Sequence, residues 1–144
     1  MNAYYVISID KDWNSLKILK RNIKSLALEH IILPFCAELK YLEISKNLLP
    51  QNLKITTMMN PPFGVQTKKA DRPFLEKAFT FSDIIYSIHL ANEKVHMFLL
   101  NFVKKFNWKI DKVLPLKLML EKSFNFHKQK KKLIDVNIYR FLKK

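Results

Sequence analysis

Glycine is nearly absent from this chain: Gly64 is the one glycine in 144 residues. Loops of the G-x-G-x-x-G type cradle phosphates and dinucleotides by using several residues that tolerate positive φ and close backbone approach, so such a loop is excluded. Any glycine-rich cofactor loop is therefore expected outside this sequence. Cysteine is as scarce. The lone Cys36 excludes an internal disulfide framework and a cysteine-rich zinc site built from this chain alone, and it points to a reducing, cytoplasmic setting. No apolar run approaches the length of a membrane span, and Asp10 interrupts what would be the apolar core of a signal peptide, so neither membrane nor targeting is expected. Acidic side chains are few, 12 against 26 Lys plus Arg, for a formal charge of +14. A polyanion, nucleic acid first, is then the expected partner, unless the lysines merely solvate the surface, which their clustering must decide.

An apolar fraction of 49% supplies a core, and the length predicts a single domain over 1–144. Tyr4 to Ile9 reads as a buried strand that runs into a polar turn at Asp10. Asp12 is placed to cap a helix in which Trp13, Leu16, Leu19, Ile23 and Leu26 recur at helical spacing, with Lys17, Lys20, Arg21 and Lys24 on its wet face. His30 to Phe35 is a second strand, and Pro34 makes it an edge, since proline cannot donate to a ladder. Ile55 to Met59 is a third strand. Asp71, with Pro73 two residues on, starts a helix with Phe74, Leu75, Ala78 and Phe79 on one face, ended by Ser82 or Asp83. Ile84 to Ile88 is a further buried strand, and Asn92 to Phe106 a helix with Val95, Phe98, Leu99, Phe102 and Val103 on one side. Val113 to Leu120 and Leu133 to Leu142 are extended with no helix between, which predicts a closing antiparallel pair. The class is α/β, a three-layer sandwich around a mostly parallel sheet with a C-terminal antiparallel hairpin.

Chemistry concentrates at Asn60-Pro61-Pro62-Phe63, directly after the third strand, where ligand crevices lie in open α/β sheets. The exocyclic amine of adenine is a poor nucleophile because its lone pair is conjugated with the ring. A methyl-transferring site must therefore offer hydrogen-bond acceptors to the amine rather than a strong base. The Asn60 side-chain oxygen and the Pro61 carbonyl are such acceptors, Pro61 and Pro62 stiffen the segment that aims them, and Phe63 can stack on an extruded base. A proline-rich turn that simply ends a strand is the plainer explanation of the same residues.

At this point the chain resembles a known family, the archaeal and eukaryotic ribosomal-RNA adenine-N6 methyltransferases, which belong to the class I, Rossmann-like, S-adenosylmethionine-dependent superfamily. The likeness rests on five motifs in order. They are the acidic pair of Ile9-Asp10-Lys11-Asp12, the NPPFG segment at 60–64, Asp71 with Phe74 after it, the strand Tyr86-Ser87-Ile88-His89, and Phe124-Asn125-Phe126-His127-Lys128 before an Asp-Val strand ending in Tyr-Arg-Phe.

The resemblance implies roles. Asn60, Pro61, Pro62 and Phe63 would be catalytic, with Asn60 also touching the cofactor S-adenosylmethionine. Asp10 would accept hydrogen bonds from the cofactor ribose, and Glu38 matches an aspartate near the cofactor's adenine, one methylene longer here. Asp71 and Phe74 would shape the target pocket, although a helix cap and a core phenylalanine account for them as well; His89 reads as a core histidine. Phe126, His127, Lys128, Lys130 and Lys131 form a basic, aromatic turn suited to RNA, probed against the simpler reading of a solvated hairpin tip. No metal is implied. A small zinc-containing activator would pair with edge strand 30–35.

The family's sheet order is 3-2-1-4-5-7-6, and here the first strand and its glycine loop are missing. The chain would supply strands 2 to 7 around an open slot, with apolar faces exposed and a sticky product when made alone. A misassigned start, a decayed gene or a split protein would each explain this. The expected function is methylation of adenine N6 in RNA, ribosomal RNA first. The alternatives are a non-catalytic RNA-binding fragment and a protein-glutamine N5 methyltransferase, which shares the Asn-Pro-Pro logic but carries tyrosine as its aromatic.

Overall fold

A computed structural model describes residues 4–46, 49–62, 71–121 and 131–144, side-chain placement of 120, 121, 131 and 132 excepted. The chain divides into two compact units, Met1–Ile44 and Ser45–Lys144.

In the first unit, β1 (Val6–Asp10), helix α1 (Trp13–Ser25) and β2 (Ile32–Cys36) form a β-α-β unit, followed by a 3-10 turn at Leu39–Tyr41. The two strands pair in parallel from Val6 against Ile32 to Asp10 against Cys36. Helix α1 begins as the sequence predicts, because the Asp12 carboxylate accepts from the Asn14 and Ser15 amides at 3.0 and 3.3 Å and satisfies two otherwise orphaned donors. Leu16 and Ile23 are its buried residues, while Lys17, Lys20, Arg21 and Lys24 are exposed as expected. Trp13 and Leu26, assigned to the apolar face, are instead 49% and 66% exposed. Each stands at an end of the helix, beyond the two turns that the sheet covers. β1 is also not the buried strand that its composition suggests: Ile7 is 61% exposed and Tyr5 70%. Composition reports what a strand could bury, and β2 is its one ladder partner among the described residues.

The second unit holds a four-stranded sheet in the order β3-β4-β6-β5, formed by β3 (Thr56–Met59), β4 (Ile84–Leu90), β5 (Trp108–Glu121) and β6 (Lys131–Lys143). β3 and β4 are parallel, and β6 runs antiparallel to both β4 and β5. This is the antiparallel closing pair read from the sequence, and the order of each sheet reproduces its own portion of the expected strand order. β4 alternates between half-buried and buried residues along its whole length. Helices α2 (Arg72–Phe81) and α3 (Glu93–Lys104) contribute Leu75, Ala78, Phe79, Leu99, Phe102 and Val103 to one core with Ile85, Trp108, Tyr139 and Phe141. The Phe79 ring sits 5.0 Å from Trp108 and edge-on to Phe141 at 6.2 Å, so most of the aromatic burial gathers around one α2 side chain. Emptying such a site by a Trp→Ala or Phe→Ala change costs ~3–5 kcal/mol.

Candidate functional site

β3 delivers Asn60 to the site. Its N-terminal end is tied down: Ile55 donates to the Asp83 carboxylate and accepts from the Asp83 amide, both at 2.9 Å, and Thr57 and Ser82 share a hydroxyl contact of 2.6 Å. Lys46 pairs with the same Asp83. The strand's register sets Met59 against Ser87, so Asn60 continues beside Ile88 at the carboxyl end of the parallel pair. Asn60 and Pro62 are exposed and Pro61 is buried. A buried Pro61 anchors the segment while fixing its own φ and keeping Asn60 out of the helical region, which leaves the Asn60 amide facing outward on a stiff support. Phe63 lies outside the described residues.

Asp71 occupies the first position before α2, with Pro73 inside the first turn, as the sequence predicts. Its side chain, however, caps nothing in the helix. The carboxylate turns to His89, with Oδ2 3.6 Å from Nδ1. The approach of the His89 ring is the largest influence on Asp71 and holds its carboxyl below the ordinary aspartate range, burial working against it and Arg72 adding to it. On the other side of the ring, His89 Nε2 lies 2.8 Å from Ser87 Oγ in a fully buried contact. The Tyr139 ring meets His89 edge-on at 5.7 Å. Tyr139 in turn reaches His96 Nδ1 through its hydroxyl at 3.1 Å. The sequence reading treated His89 as a core histidine and gave Ser87 no role. The available signal was two polar residues, Ser87 and His89, on the buried face of an otherwise apolar alternation. Phe74, assigned with Asp71, is half-buried.

The residues read as cofactor ligands in the first unit share one end of its sheet. Asp10 closes β1, and the Ala37 amide donates to its carbonyl at 3.1 Å, so Glu38 leaves β2 at the same carboxyl end. Both side chains are exposed. One Asp10 oxygen accepts from the Asp12 amide at 2.9 Å, and its second has no partner among the described residues. Glu38 meets Lys40 at 2.9 Å, and that hydrogen bond lowers its pKa. An exposed acidic pair beyond the ends of parallel strands suits the hydroxyl and amine groups of a nucleoside, so these residues fit the cofactor that the resemblance implies.

Phe126, His127, Lys128 and Lys130 lie outside the described residues, and Lys131 opens β6. Among the described residues no three His, Cys, Asp or Glu side chains gather as a metal site, and no helix is long and apolar enough to cross a membrane.

No family model matches the chain. Curated relatives do. An uncharacterized protein of Methanocaldococcus jannaschii is 34% identical over 99% of this chain and 65% of its own length. The rRNA N6-adenosine-methyltransferase METTL5 of Danio rerio is 28% identical over 98% of this chain and 66% of its own. Among solved structures, PH1948 of Pyrococcus horikoshii, described as a candidate RNA methyltransferase, superposes with a TM-score of 0.81 at 34% identity, covering 99% of this chain and 65% of that one. The chain thus spans slightly less than two thirds of the length of these relatives. Likeness in sequence and in fold runs through both units, and the chain has the class I methyltransferase fold and is similar in sequence to the METTL5 enzymes.

Proposed function

We propose that this chain carries the acceptor side of a methyltransferase that modifies N6 of adenine in RNA, ribosomal RNA first. The observation that supports this most is the exposed Asn60 amide on a proline-stiffened support at the carboxyl end of β3, in a chain whose relatives include rRNA N6-adenosine-methyltransferases.

S-adenosylmethionine, when bound, supplies an electrophilic methyl group. The work left to the protein is to bring an amine lone pair onto it. The Asn60 side-chain oxygen and the Pro61 carbonyl accept the two amine hydrogens, which draws electron density back onto N6 and favours a tetrahedral nitrogen. Because Pro61 is buried and both prolines restrict the backbone, the acceptors are aimed before the base arrives. Phe63 stacks on the flipped base and Phe74 lines its pocket. Asp10 and Glu38 hold the cofactor's ribose and adenine. The basic turn with Phe126, His127, Lys128, Lys130 and Lys131 grips RNA phosphates and bases.

The test is methyl transfer to an RNA fragment, read as N6-methyladenosine by mass spectrometry, beside calorimetric titration of S-adenosylmethionine. Asn60→Ala is expected to lower kcat by about 10²-fold or more. Methylation of a glutamine peptide but not of RNA would refute the choice of substrate, and RNA association without cofactor binding would leave the non-catalytic reading standing.

A further inference from the structure

The Asp71 side chain declines the role its position offers. An aspartate directly before a helix ordinarily accepts from the amides of the first turn, as Asp12 does for α1. Asp71 leaves those amides and turns toward a buried imidazole. Departures of this kind from local preference concentrate at functional sites.

A carboxylate only accepts, so the tautomer that fits these contacts carries its hydrogen on Nδ1, the ring atom facing Asp71. In the neutral ring Nε2 is then an acceptor, and the Ser87 hydroxyl, 2.8 Å away, donates to it. The order Ser-His-Asp is that of a nucleophilic relay, but Ser87 is fully buried, so no substrate carbonyl can reach its oxygen. What remains is a device that holds the imidazole from below and presents its Nδ1 hydrogen to the carboxylate. The separation of 3.6 Å is longer than a direct hydrogen bond, as is common in sites that tighten only around their substrate. Its placement is the telling part. Ser87 is paired with Met59, so Ser87 and His89 flank the strand position beside Asn60. Among the described residues, the other groups facing this cluster are the Tyr139 ring from β6, His96 from α3 on the far side of Tyr139, and Arg72 from α2.

We propose that His89 is a positioning residue for the acceptor base: held by Ser87, it turns the Asp71 carboxylate away from the helix end and fixes it near the strand position that Asn60 continues. This rests on the reading of the site given above.

Two measurements on the full chain test it. The 15N spectrum of the His89 ring should show hydrogen on Nδ1 and none on Nε2 at neutral pH. Asp71→Asn should shift the Nδ1 signal, and Ser87→Ala the Nε2 signal. The opposite tautomer, or an Nδ1 signal indifferent to Asp71→Asn, overturns the proposal. In RNA methylation, His89→Asn places an amide nitrogen where Nδ1 stands and should retain most of the turnover, whereas His89→Gln, which mimics the wrong nitrogen, should lose up to about a hundredfold in kcat with cofactor affinity unchanged. Equal activity of the two variants at matched melting temperature overturns the positioning role. A chain that methylates no adenosine in RNA refutes the proposed function instead, and the pairing still stands or falls by the ring spectrum.

Discussion

At Asp71 and Asp83 the carboxyl groups titrate below the ordinary aspartate value near 3.8, by different means. Asp71 is held down first by the His89 ring, against the cost of burial. At Asp83 the largest influence is burial, which opposes ionisation, and the Lys46 side chain and the Ile55 amide together outweigh it. A carboxyl depressed in the folded state contributes stability that is fully present above its unfolded pKa and lost as pH falls through its folded one. Thermal midpoints should therefore hold from neutrality down to about pH 5 and decline below about 4, and Asp71→Asn with Asp83→Asn should flatten the decline. An unchanged acid limb in the double variant would show that other groups carry it. Legibility at this scale was uneven. The places of Asn60 directly after a strand and of Asp71 directly before a helix were readable, because strand period and helix starts are local signals. The Ser87–His89–Asp71 arrangement was not, because Asp71 and His89 lie on different elements and meet only through the register of β3 on β4.

Among the helices, the end of α1 carries a local conflict. Ala27 sits at φ 53 and Asn107, before β5, at φ 59. Asparagine tolerates the left-handed region, whereas alanine pays for its Cβ there. The Ala27 conformation persists because it lets the Leu28 amide reach the Ile23 carbonyl at 3.0 Å, which closes the helix and turns the chain toward β2. Ala27→Gly is expected to stabilise the chain by up to about 1 kcal/mol, read from chemical denaturation; a loss of stability would mean that the alanine methyl packs better than its 27th position suggests. In β5 the sequence reading began at Val113, but the strand starts at Trp108. Lys109, Asp111 and Lys112 look like a polar turn, and a register shift between Ile110 and Lys112 breaks the period of two on which strand reading depends. The ion pair of Asp111 with Arg140 at 3.3 Å spans that irregularity. The helix cap at Asp12, by contrast, was legible because capping is decided within four residues.

At the scale of the whole molecule, one row of large apolar side chains stands exposed along the β1–β2 pair among the described residues: Ile7 is 61% exposed, Leu33 50% and Phe35 52%, with Tyr4 just before β1 at 87%. Monomeric proteins seldom leave so many large apolar side chains together in water, and β1 and β2 each have a free ladder edge among the described residues. Self-association at micromolar concentration is the expected behaviour, visible by sedimentation and weakened by Ile7→Lys with Phe35→Ser. A clean monomer throughout that range would contradict it. The net charge of +14 opposes aggregation only at low salt, so association should strengthen as salt screens the repulsion.

The amino-acid sequence by itself determined the class of fold, the alternation of strand and helix, the Asp12 cap and the place of Asn60 after a strand, since each depends on residue type and on spacing within one or two turns. Tertiary structure alone decided which potentially buried strand is exposed, where β5 begins, and which way Asp71 faces. Those outcomes depend on the partners that a residue meets across ladders and packed faces, and pairing between distant segments is written in no local window of the chain.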